Sequence, residues 1–118
     1  MKRADALKRK KDFRYTYRTG KSVPDRWFVC ISAHSRLEGT RVGISVSKKQ
    51  GNAVQRNRIK RRLREAVTPY IPRFVSHKNI IFVARHGVID APFEELGHAV
   101  ETVLKKAGLL KQDAQVSD

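Results

Sequence analysis

Between Gln55 and Arg64 the chain places six cationic side chains within ten residues, with no acid among them. The chemistry open to such a run is electrostatic. Each Lys or Arg that neutralises a phosphate releases condensed counterions, and this term dominates binding to nucleic acid of any sequence. Covalent chemistry has no comparable signal. The acids show no clustered arrangement suited to holding two metal ions, and no nucleophile stands in a recognisable pattern with a base. His34, His77, His86 and His98 are scattered without metal-ligand spacing. Cys30 is the single cysteine, so neither a disulfide framework nor a thiolate metal site is available, and a buried inert thiol is expected.

The run keeps a helical register. Ile59, Leu63, Ala66, Val67 and Tyr70 fall on one stripe of an amphipathic helix. At about 100° per residue, Arg56, Lys60 and Arg64 form a row along one border of that stripe, while Arg58, Arg61 and Arg62 point further into solvent. A border row sits beside whatever the helix packs on and so edges a concave surface. A solvated helix face normally mixes both signs of charge, and this one does not.

Charge elsewhere is arranged as a footprint. Residues 1–21 carry nine Lys or Arg against two acids, and residues 41–66 carry nine against one, so the remaining residues balance and the formal charge of +15 belongs to two segments.

The elements that must position these side chains read as follows. Residues Leu7 to Thr19 fit a short basic helix closed by Gly20, and Lys21 to Asp25 is extended or turning because of Pro24. Trp27 to Ala33 is a strand apolar on both faces. His34 to Thr40 reads as a hairpin connection to a strand over Arg41 to Ser47, with Val42, Ile44 and Val46 on one face and Gly43, Ser45 and Ser47 on the other. That second face is small and polar, open to a nucleic-acid backbone. Lys48 to Asn52 is a loop with Asn52 as N-cap of the basic helix, which ends near Tyr70 ahead of Pro72. Asn79 to Ala84 completes a βαβ unit with parallel strands, for which the general rule is a right-handed crossover. Asp90 reads as the cap of a last helix burying Phe93, Leu96, Val100, Val103, Leu104 and Ala107, with Gly108 at its end. Residues 109–118 read as a flexible tail.

At 118 residues and 40% hydrophobic content the chain fits one domain, 1–118, with one modest core. Its apolar runs are too short to cross a bilayer and its basic start lacks a secretory hydrophobic region, so a cytoplasmic protein is expected.

The run from Arg41 to Ala66 resembles the protein subunit of bacterial ribonuclease P. The resemblance is carried by Arg56, Asn57 and Arg58, by Lys48, Lys49, Gly51, Asn52 and Ala53, and upstream by Asp12, Phe13 and the Gly20 to Val23 stretch. It implies an α/β two-layer sandwich of three helices and about four strands in a mixed sheet, like a ribosomal protein domain, with a left-handed βαβ crossover in place of the right-handed one. It implies a ribonucleoprotein, with one protein per RNA, that removes the 5′ leader of precursor tRNA. The RNA subunit and its Mg²⁺ carry the chemistry, and the protein binds no cofactor of its own. The resemblance also assigns residues. Phe13, Tyr17, Val29, Ile31 and Ser45, with Arg56, Lys60 and Arg64, become a cleft for the single-stranded leader. Lys48, Lys49, Asn52, Asn57, Arg58, Arg61 and Arg62 become contacts to the catalytic RNA. Ile31 stands where some relatives have Tyr. Phe13 and Tyr17 can equally be the buried stripe of a short helix, and Asn57 either orients a phosphate or hydrated-metal site or makes an intrahelical hydrogen bond. The competing reading from charge alone is a ribosome-associated RNA-binding protein; a DNA-binding repressor fits less well, because strands flank the basic helix.

Overall fold

A computed structural model of the chain describes residues 1–112. Three helices, α1 (Lys10–Thr19), α2 (Ala53–Val67) and α3 (Phe93–Lys106), combine with four strands, β1 (Lys21–Pro24), β2 (Phe28–His34), β3 (Arg41–Ser45) and β4 (Lys78–Ala84). The sheet is mixed, in the order β1-β2-β4-β3. β1 pairs antiparallel with β2 and β2 with β4, whereas β3 runs parallel to β4. The expected α/β class and the parallel βαβ unit are therefore both present.

Alternation along the strands sorts the sheet into two faces. Phe28, Cys30, Val42, Ile80, Phe82 and Ala84 point to one, where they meet Ile59, Leu63, Ala66 and Val67 of α2 and Leu96, Val100, Val103 and Leu104 of α3 in one buried cluster. Phe28 and Phe82 pack edge to face at 5.2 Å. Burial of this stripe, not the propensity of so cationic a sequence, holds α2 helical.

Five local expectations are corrected. His34 to Thr40 is no hairpin connection: β4 lies between β2 and β3, so the segment passes over the end of β4, tied to it by Ser35 N–H to His77 O (2.8 Å) and His77 N–H to Glu38 O (3.0 Å). α1 begins at Lys10, because the backbone before it bridges the β3 edge, Ala6 pairing with Val42 and Leu7 N–H donating to Val42 O at 2.8 Å. α2 stops at Val67, and Pro69 and Pro72 confine Thr68–Arg73 to a 3-10 turn. Asp90 does not cap α3; it closes the turn Val88–Asp90, and Pro92, which disfavours helical backbone at Ala91, delays the helix to Phe93, itself 48% exposed. The expected tail starts later than Leu109, which is buried and accepts from Val75 N–H at 2.9 Å, while Leu110 bridges Phe74. The part of that tail at 113–118 lies outside the described residues.

Candidate nucleic-acid interface

Asn52 opens α2 as expected. Its side-chain oxygen accepts from Gln55 N–H and its own N–H donates to Gln55 Oε1, both at 2.9 Å, so this carbonyl is committed to the cap. Along the helix, Arg56 and Lys60 are half-buried at the border of the apolar stripe, and Asn57, Arg58, Arg61 and Arg64 are exposed. Asn57 makes no side-chain hydrogen bond among the described residues, so its amide is free for a ligand. No carboxylate among the described residues pairs with a cation of α2; an ion pair of Lys105 with Glu101 at 3.1 Å belongs to α3.

Arg62 departs from the expected set. Its guanidinium is turned inward, donating to Ile89 O at 2.6 Å, Val88 O at 3.4 Å and Ala91 O. It fastens the turn before α3 to α2, because the Ile89 and Ala91 carbonyls need donors, while Val88 O also accepts from Ala91 N–H at 3.1 Å. The solvent-facing position expected from helical phase is thus taken only by Arg58 and Arg61. Phase alone could not reveal this, since the partner turn comes from a distant part of the chain.

The second face of the sheet carries the other candidates. Val29 and Val83 are paired neighbours there, as are Ile31 and Ile81, with Gly43 and Ser45 in register on β3. α1 crosses this face. At its start Phe13 covers Gly43, so near that a Cβ on the glycine would lie 2.4 Å from Phe13 Cζ. At its end a Cβ on Gly20 would stand 2.7 Å from Ile31 Cγ2 and 2.5 Å from Thr16 O, so glycine is required by close approach, not by a positive φ. The expected open Gly and Ser surface is therefore corrected at Gly43, which is buried under the ring; Ser45 remains half-open.

Thr16 is fully buried and points at the sheet. At about 100° per residue, Tyr17 stands to one side of it and Tyr15 to the other, so α1 divides the face into two flanks. Tyr17 is 44% exposed and its ring lies 6.4 Å from that of Phe13. Phe13 is thus both core and floor, and Tyr17 is wall. Val29, Ile31 and Ser45 are half-buried on the same face.

The basic residues reach this region by a short route. Beyond β3 the 3-10 turn Lys48–Gln50, capped by Ser47 Oγ accepting from Lys49 N–H at 3.1 Å, leads into α2. Gln50 Nε2 donates to Ala84 O at 3.3 Å, pinning the turn to the end of β4 beside Val83. Exposed Lys48 and Lys49 and the start of α2 therefore adjoin the strand ends that carry Val29, Val83 and Ser45. Gln50 was not legible in the sequence as a positioning residue. Arg56, Lys60 and Arg64 themselves belong to α2, whose buried stripe packs on the other sheet face. Among the described residues no three of His, Cys, Asp and Glu come together as a metal-binding group.

Fold and charge define an RNA-binding α/β sandwich: a rigid sheet with a half-open face, a crossing helix, and an unneutralised cationic helix beside it. The family model described as Ribonuclease P matches residues 1–108. The chain is 40% identical over 111 residues to a ribonuclease P protein component of Streptococcus thermophilus, covering 94% of this chain and 99% of that one. It is 44% identical over 108 residues to one of Staphylococcus epidermidis, covering 91% and 93%. A solved structure of the Staphylococcus aureus RNase P protein superposes with a TM-score of 0.81 at 37% identity, covering 92% of this chain and 100% of that one. The chain belongs to the ribonuclease P protein component family, the protein subunit of a tRNA-processing ribonucleoprotein. No helix of the described residues is long and apolar enough to cross a membrane.

Proposed function

We propose that this subunit, acting in the cytoplasm as one protein per RNA, binds the catalytic RNA through α2 and the Lys48–Gln50 turn, and holds the single-stranded 5′ leader of precursor tRNA against the α1-crossed sheet face. Support comes from one juxtaposition: unpaired cations at the start of α2 adjoin the strand ends that carry Val29 and Ser45, on the sheet face whose Gly43 is covered by Phe13 of α1. Cations track a phosphate backbone and an exposed ring offers a stacking platform, the two needs of single-stranded RNA.

In this reading Arg58 and Arg61, with Lys48 and Lys49, neutralise phosphates of the catalytic RNA, and Asn57 adds a neutral donor and acceptor between them. Arg56, Lys60 and Arg64 hold the leader backbone along the border of the helix. Tyr17 stacks on a base, Phe13 supplies the floor, and Val29, Ile31 and Ser45 form the rest of the trough. Mg²⁺, bound by the RNA, supplies the Lewis acid and activated water for hydrolysis. The protein's own part is to raise the local concentration and fix the register of the leader, which lets the RNA work at lower Mg²⁺. Addition of pure protein to its RNA partner at low Mg²⁺ should stimulate leader removal, and protein alone should leave precursor tRNA intact. Efficient leader removal without RNA would contradict the reading. The ribosome-associated alternative is not favoured by the family membership.

A further inference from the structure

On the other flank of α1 lies a second concavity, of about 830 Å³, at the end of the sheet where β2 finishes and β3 and β4 begin. Its cations come from three separate segments. Lys8, Arg9 and Lys11 enter from the lead-in to α1 and its first turn, Arg36 from the β2–β3 connection and Arg41 from β3. One acid, Asp12, accompanies these five. Arg41 donates to Gly39 O at 3.3 Å. The other four cations have no hydrogen-bond or ion-pair partner among the described residues. Such a gathering of like charge is unfavourable unless something anionic occupies the space between.

Two more features restrict the occupant. Tyr15, 38% exposed, and Leu37, 54% exposed, line the same concavity and present a ring and an apolar side chain to it. Neither is needed by the core. A duplex backbone would satisfy the cations and leave these two unused, and so would a polyanionic peptide; an unstacked base fits them. The walls are also firmly placed. The connection carrying Arg36 and Leu37 is held by Ser35 Oγ accepting from Leu37 N–H at 3.1 Å and by its two backbone bonds to His77.

We propose that this second groove binds single-stranded RNA, the five cations holding its phosphates while one base stacks on Tyr15. The proposal goes beyond the leader cleft and does not rest on it, since the two grooves lie on opposite flanks of α1 and share no residue.

The test measures the affinity of the full chain for short oligoadenylate across a salt series. It compares wild type with Tyr15→Ala, with Lys8→Glu plus Arg36→Glu, and with Tyr17→Ala as the cleft control. All the substituted side chains are exposed and off the core. Tyr15→Ala should weaken binding about tenfold, a stacked base being worth roughly 1–3 kcal/mol. The double reversal should reduce the magnitude of the log–log salt slope by at least about 1.4, two phosphate contacts at about 0.7 each. Polyglutamate of matching charge should compete poorly. In the assembled ribonucleoprotein with precursor tRNA, a benzophenone attached through Leu37→Cys should cross-link to RNA, and sequencing the product assigns the strand to the catalytic RNA or to the precursor. Unchanged affinity and slope in the groove variants, equal competition by polyglutamate, or no cross-link to either RNA would overturn the proposal, whatever Tyr17→Ala does.

Discussion

The Phe13 ring rests on the bare backbone of Gly43 and buries it, while Ser45, two residues further along β3, stays half-buried. A methyl group at Gly43 has no room while the ring stays, because its carbon would stand 2.4 Å from Phe13 Cζ. Gly43→Ala should therefore push the ring off β3 and cost about 1–3 kcal/mol, the usual range for overpacking. The double variant with Phe13→Leu should recover part of that loss. Denaturant titration of the single and double variants checks both statements.

Arg62 should behave unlike its neighbours in the run. Arg62→Leu leaves the part-buried carbonyls of Ile89 and Ala91 without this donor, while Val88 O keeps Ala91 N–H, and each acceptor left unmatched costs about 1–3 kcal/mol. A loss of several kcal/mol in stability is expected, with the salt slope of RNA binding unchanged in the folded fraction. Thermal unfolding together with the slope separates these effects.

Arg58→Ala and Arg61→Ala should show the opposite pattern. Both side chains are exposed and unpaired among the described residues, so stability should move by less than about 0.5 kcal/mol. Affinity for the RNA partner should fall, with each substitution reducing the magnitude of the salt slope by about 0.7–0.9. Filter binding across a salt series measures it.

How far the sequence foretold these differences depends on the range of the interaction. The α2 stripe, the Asn52 cap and the parallel βαβ unit are written in local periodicity and capping chemistry, and they appear where the residues place them. The place of β4 between β2 and β3 is not, because a six-residue connection suits a hairpin and a step across one strand equally well. Arg62 was misplaced for the same reason: its partners are more than twenty residues away in sequence. Leu109 and Leu110 look like a tail in isolation, and only the exposed backbone of residues 73–75 gives them something to pair with. Phe13 and Tyr17 show the intermediate case. Their spacing put both on one side of α1, but which of them is floor and which is wall depended on the missing Cβ of Gly43.

Cys30 is buried in the core, and desolvation pushes its thiol up to about 12. Native protein at neutral pH should react with a thiol reagent far more slowly than protein in denaturant. The sign of the pH effect follows. The unfolded chain loses this proton from about pH 9 while the folded chain retains it to about 12, so this residue's contribution to stability declines as pH rises across that window. Absorbance-monitored labelling and unfolding between pH 8 and 11 would show it.

The central claim is that the α1-crossed face holds the leader. Its most direct test is the ratio of affinities of the assembled ribonucleoprotein for precursor and mature tRNA, compared between wild type and the combined Phe13→Leu, Tyr17→Ala and Lys60→Ala variant. Loss of one stacked base alone, at roughly 1–3 kcal/mol, should lower the preference for precursor by about tenfold or more while affinity for mature tRNA stays unchanged. A variant that assembles with the RNA normally and keeps the full wild-type preference would contradict the account.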